Sequence, residues 1–205
     1  MIQHFKDRYV RREGVMNESA LSQNARTKLL KLARRAMESA VLGKSLQPLN
    51  LEDFPAEFSE SGATFVTLTS YGQLRGCIGA LEAYQPLAED VCEHAVAAAL
   101  QDYRFPPVHP NELASIQIEI SRLTAPQPLE YTTPLDLISK LRPGVDGVIL
   151  KDGFRRATFL PQVWEKLPDP LEFLAHLCAK MGADPELWRH KHLEVLTYQV
   201  EEFHE

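Results

Sequence analysis

The sequence is poor in the features that announce a mechanism. It has three cysteines in 205 residues, Cys77, Cys92 and Cys178, far apart and without a Cys-x-x-Cys pair. A disulfide framework and a cysteine-built zinc site are therefore excluded, and a reduced, cytoplasmic protein is the expectation. No apolar run approaches the roughly 18 residues that a membrane span needs. The opening 15 residues lack the apolar centre of a secretory signal. Positive charge is in deficit, with 22 Lys and Arg against 28 Asp and Glu and a net charge of -6. Neither nucleic acid nor an anionic membrane is thus an expected partner. No glycine-rich loop follows a strand and opens a helix, which removes the dinucleotide and phosphate-loop signatures. Asp90 and His94 lie four apart on one helix face but lack a third ligand, and read as a surface pair. His176, Cys178, His190 and His192 match no familiar metal spacing. No metal and no cofactor are expected.

What is present is ordered. Residues 1–15 form a basic arm without periodicity, expected to be loose or an artefact of start-site choice. Residues 16–205 read as one domain with two structural halves, about 60–125 and 140–203. A helix over about 25–42 is expected to pack against them, with Leu29, Leu32, Ala33, Ala36, Met37 and Ala40 at helical spacing, Ser22 as cap and Gly43 as stop. A Pro-containing connector follows over 44–62. Ala63–Thr69 and Leu74–Leu81 read as a hairpin about Tyr71-Gly72. Pro86 opens a helix to about Asp102, which Phe105-Pro106-Pro107 ends. Ser115–Leu123 alternates as a half-buried strand, Ile116, Ile118 and Ile120 against Gln117, Glu119 and Ser121. The second half repeats the order: a hairpin over Gly147–Leu160, a helix from Pro170 to about Met181, a short helical stretch at Leu187–His192 and a final strand Val195–Val200. Aligning the hairpins at Gly72 and Gly153 sets Arg75 opposite Arg156 and Cys77 opposite Thr158. The fold class expected is α+β, with two related hairpin–helix–strand halves, mixed but mainly antiparallel sheets, and helices packed on them.

Four ordered blocks carry a family resemblance. They are Leu74-Arg75-Gly76-Cys77-Ile78-Gly79, then Asp102-Tyr103-Arg104-Phe105-Pro106-Pro107-Val108, then Ile118-Glu119-Ile120-Ser121. The fourth runs from Leu141-Arg142-Pro143-Gly144-Val145-Asp146-Gly147 to Arg155-Arg156-Ala157-Thr158-Phe159-Leu160-Pro161-Gln162-Val163-Trp164. Together they cover about 25–203 and resemble the AMMECR-domain family, protein A of the AmmeMemoRadiSam system. The resemblance implies an α+β fold with two repeats. It also implies association with a Memo-type protein and a radical S-adenosylmethionine protein in a modification pathway. It implies no established activity, and a catalytic role for the hallmark cysteine is a family-level suggestion.

The residues suggest a site on their own terms. Strict alternation in the hallmark strand puts Leu74, Gly76 and Ile78 on one face and Arg75, Cys77 and Gly79 on the other. If this strand shares a sheet with 115–123, the polar face collects Arg75, Cys77, Gln117, Glu119 and Ser121. Arg75 beside Cys77 would favour a thiolate nucleophile, with Glu119 orienting the arginine or moving a proton. Cys77, Arg75 and Glu119 are the catalytic candidates. Gly76 and Gly79 leave room for a ligand or for another backbone. Asp102 and Arg104 are either a substrate-holding pair or a helix-end ion pair. Arg156, or its neighbour Arg155, suits a phosphate or carboxylate. The rival reading is a binding or adaptor module without chemistry, whose hallmark strand is a recognition or structural element.

Overall fold

The structure is a computed structural model and describes residues 20–45 and 48–205; the basic arm expected over 1–15 lies outside them. Helix α1 (Gln23–Val41) starts where expected, with the Ser22 hydroxyl accepting a hydrogen bond from the Ala25 amide at 3.1 Å. Its apolar stripe, including Leu29, Ala33, Ala36 and Met37, is fully buried. The connector winds back through two short 3-10 turns, and Phe58 plugs the core at 0 % exposure.

Strands β1 (Ser61–Ser70) and β2 (Gln73–Gly79) form the hairpin. Tyr71 and Gly72 both have positive φ, 50° and 76°, the two-residue turn that matches strand twist. A two-residue strand β3 (Gln85–Pro86) pairs with the start of β1 and leads into helix α2 (Leu87–Leu100). Strand β4 (Ile116–Leu123) follows, then a two-residue strand β5 (Gln127–Pro128) and helix α3 (Pro134–Lys140). The second half contains strands β6 (Gly147–Asp152) and β7 (Arg155–Phe159), helices α4 (Pro170–Lys180) and α5 (Leu187–His190), and strands β8 (Glu194–Tyr198) and β9 (Val200–His204).

Two antiparallel sheets result, so the fold is α+β. The first has the order β2-β1-β4-β9 and the second β5-β8-β6-β7. The single final strand expected at 195–200 is in fact two. The chain leaves β8 in the second sheet and crosses at Gln199 into β9 in the first. The break is invisible to periodicity because Leu196, Tyr198 and Val200 keep alternating through it. In the other direction β4 of the first sheet is followed by β5, the edge of the second. Each sheet thus takes its fourth strand from the segment that follows the other half's last strand.

Alternation then divides three cores. Val66, Leu68, Ile116, Ile118 and Ile120 face α1 and α2. Val148, Leu150 and Val195 face α4, α5 and the stacked pair Trp164 and Phe173, whose rings lie 3.6 Å apart. Ala63, Leu123, Ile149 and Tyr198 meet between the sheets, with Phe65, Leu160, Leu196 and Val200 around them. This third cluster joins the halves and leaves a cleft beside it.

Candidate functional site

The hallmark strand is the outer edge of the first sheet. Its register gives the polar face: Cys77 stands opposite Thr67, Thr67 opposite Glu119, and Glu119 opposite His204. The next row is Gly79, Phe65, Ser121 and Glu202. The expectation that the two motif strands share a sheet, with Cys77, Glu119 and Ser121 on its open face, therefore holds. The Thr67 hydroxyl donates to Cys77 Sγ at 3.3 Å. Cys77 and Glu119 are two strand spacings apart, roughly 10 Å at Cα, with Thr67 between them.

A cleft of about 240 Å³ opens over this face. Cys77, Glu119 and Ser121 line it from the first sheet, with Phe65, Leu123 and Val200 as apolar wall. Leu160 and Gln162, reached just after β7, close it from the second half. Glu202 stands at the exposed rim, where its Oε1 accepts from Gln162 Nε2 at 2.9 Å. Burial, and then the Glu202 charge, raise the Glu119 carboxyl above its ordinary value; His204 works in the opposite direction. Among the described residues no Lys or Arg lines this cleft, and no three His, Cys, Asp or Glu side chains are placed to hold a metal ion.

Arg75 is a correction. The register passes from Leu68 opposite Gly76 to Thr69 opposite Leu74, so Arg75 is the extra residue of a bulge. The bulge breaks strict alternation. Leu74 falls opposite Thr69 and is 45 % exposed rather than held in the core with Ile78. The Arg75 guanidinium turns to Glu112, with bonds of 2.8 and 3.0 Å, and to the carbonyls of Pro106 and Pro107. Its partner is Glu112, not Glu119, and it braces the loop after α2. The arginine holds Glu112 down at about 2. Glu112 was missed because it lies in a short 3-10 turn, Pro110–Glu112, with no periodicity of its own.

The guanidinium near Cys77 belongs to Arg104. Asp102, only 4 % exposed, accepts the Cys77 amide at 2.8 Å, and Arg104 Nη2 donates to the Cys77 carbonyl at 3.1 Å. The two side chains are themselves paired at 2.6 and 2.9 Å. An ion pair thus supplies the acceptor and donor that a neighbouring strand would offer to this edge. The Arg104 hydrogen bonds hold Asp102 well below the usual carboxylate range. The geometry is that of a helix-end ion pair, which also ties the loop to the hallmark strand.

The glycines serve close packing. A Cβ at Gly76 would come within 2.1 Å of the Ala98 carbonyl oxygen, and one at Gly79 within 2.4 Å of the Thr64 carbonyl oxygen. The space over them is taken by α2 and β1, so the room expected there for a ligand is filled by another backbone. Arg156 is also outside the cleft: it forms an ion pair with Glu82, while Arg155 pairs with Asp152. Asp90 and His94 are buried, at 0 % and 5 % exposure, and not the surface pair expected. Their contact is 3.2 Å, and Thr64 donates to Asp90 at 2.6 Å. Cys92 and Cys178 are buried core thiols.

Comparison with known proteins agrees with this arrangement. The sequence model of the AMMECR1 family matches residues 30–203. The chain belongs to the AMMECR1 family. A protein of Methanothermobacter thermautotrophicus is 41 % identical over 191 residues, which cover 93 % of this chain and 99 % of that protein. A Methanocaldococcus jannaschii protein is 37 % identical, covering 86 % of this chain and 88 % of its own length. The crystal structure of an uncharacterized protein from Pyrococcus horikoshii superposes with a TM-score of 0.72 at 35 % identity, over 90 % of this chain and 93 % of that one. The AMMECR1 match takes in both halves and all the elements that line the cleft. Among the described residues no helix is long and apolar enough to cross a membrane.

Proposed function

We propose that the cleft beside Cys77 is the working site of this AMMECR1 protein. Through it the protein acts as a component of a modification pathway, with the Memo-type and radical S-adenosylmethionine partners that the family resemblance implies. One observation carries the reading. Three of the four hallmark blocks, through Cys77, through Glu119 and Ser121, and through Leu160 and Gln162, present side chains to a common cleft, which the last of them closes from the other half. Cys77 is also the one cysteine that is not buried.

The test is a Cys77→Ser variant with thiol mapping. Iodoacetamide should label Cys77 in the folded protein and leave Cys92 and Cys178 unlabelled by mass spectrometry. Cys77→Ser should melt within about 0.5 kcal/mol of the wild type, since the change touches no core packing, and should abolish function in the cell. Full cellular function with an intact fold would sink the reading. A second reading, the non-catalytic binding module, has its own support. Arg75, Gly76, Gly79, Asp102 and Arg104 are all consumed in building the strand edge.

A further inference from the structure

We propose that this cleft receives an organic cation: an ammonium or guanidinium at the end of an aliphatic stem, held between Glu119 inside and Glu202 at the rim. The inference rests on the cleft being the working site and names what enters it. Three observations support it.

The first is an unanswered hydroxyl. Ser121 is only 8 % exposed, lies on the same face as Glu119, lines the cleft, and its side chain has no hydrogen-bond partner among the described residues. Its Oγ keeps contact with the cleft and not with the core, so it is placed to accept a hydrogen bond from a donor that enters. The second is charge. Glu119 has neither an ion pair nor a hydrogen bond among the described residues, and Glu202 is its diagonal neighbour across β4 and β9. The two carboxylates repel each other and the burial of Glu119 weakens its hydration, while His204, opposite Glu119 on β9, offsets only part of this. Glu202 keeps its second oxygen unoccupied by Gln162. The third is shape. Phe65, Leu123, Leu160 and Val200 supply an apolar wall for a stem. A volume of about 240 Å³ is below that of drug-sized pockets, so it fits one small amine or a single side chain. The absence of any three-ligand cluster among the described residues favours a hydrogen-bonding organic cation over a metal ion.

Two sources share this chemistry, a free alkylamine and a lysine or arginine side chain of another protein. The experiment titrates pentylamine, butylguanidine and pentanol into the full chain by calorimetry. Alongside them run N-acetyl-lysine methylamide and its Nε-acetylated form. Both free cations should bind and slow iodoacetamide labelling of Cys77, while pentanol and the acetylated lysine should not. Glu119→Gln should weaken the cations about five- to tenfold, and Ser121→Ala by a smaller factor. Tighter binding of the lysine derivative than of pentylamine assigns the pocket to a protein side chain; the reverse order assigns it to a free amine. Equal binding of pentanol and pentylamine, or cation binding unchanged in Glu119→Gln, overturns the proposal.

Stability gives an independent readout. A carboxylate whose folded pKa is raised opposes folding above that pKa and ceases to do so as pH falls below it. Glu119→Gln should therefore raise the melting temperature at pH 7, and the gain should vanish in acid. An unchanged or lower melting temperature would mean that Glu119 is already paired, and would overturn the proposal. If no cation binds while Cys77→Ser is inactive in the cell, the cation falls and the working site stands. If cations bind while Cys77→Ser is fully functional, the reverse holds.

Discussion

At the scale of single residues, the hallmark hexapeptide divides its labour. Cys77 alone presents a side chain to the cleft, while Gly76 is shaped by the Ala98 carbonyl that presses on it. Gly76→Ala should destabilise the protein by about 3 kcal/mol, the upper part of the usual range for overpacking, because the atom in the way is helix backbone and not the end of a flexible side chain. Chemical denaturation measures it, and a loss under about 1 kcal/mol would show that α2 can shift. Glycine in a strand signalled close approach, as its lack of a side chain always permits. Whether the approaching group was a ligand or a backbone depended on where α2 lay. Leu74 shows the complementary difficulty. An apolar residue two positions before a buried glycine reads as core by alternation, yet the bulge at Arg75 turns it outward.

At the scale of elements, the edge strand β2 is closed by the loop that follows α2. Asp102, Arg104 and Arg75 with Glu112 tie that loop to the strand. The first two hallmark blocks, some 25 residues apart in sequence, are thus the two sides of one joint. The carboxylates of this joint set its acid response. Asp102 and Glu112 both titrate below their unfolded values. The stability they contribute is therefore fully present above about pH 5 and is lost as pH falls from about 4 toward 2. Asp102→Asn should cost about 1–3 kcal/mol at pH 7, and its deficit against the wild type should shrink toward pH 3. Melting temperatures across that range test it; a deficit constant with pH would deny the carboxylate charge its role. The elements themselves were largely legible. Caps at Ser22, prolines at helix starts and the alternation of 116–120 all mark local events. The two-residue strands β3 and β5 and helix α3 were not, since they are too short for a period to establish itself.

At the scale of the whole molecule, the strand exchange makes the two halves interdependent. Phe203, on β9, packs in the core under α1 and α2 at 6 % exposure. Phe203→Ala should cost about 3–5 kcal/mol and should loosen amides of β1 and β4, not of β8, which precedes it in sequence, or of β6, which pairs with β8. Hydrogen exchange distinguishes the two; loosening confined to the second sheet would contradict the exchange. The cleft has the same origin, since its walls come from β1, β2, β4, β9 and the segment after β7. The order of hairpin, helix and strand, the α+β class, and the alternation that puts Glu119 with Ser121 on one face of its strand follow from the sequence by itself. They rest on periodicity and turn chemistry, which act between residues near in the chain; the family is carried by the four ordered blocks, and the register across β1 sets Cys77 on the same face. Tertiary structure alone decided that Arg75 pairs with Glu112, that Arg104 reaches Cys77, that the last strand splits between sheets, and that Gln162 joins Glu119 and Ser121 in lining one cleft. Each of these is a meeting of distant segments, determined by packing and register across the whole fold.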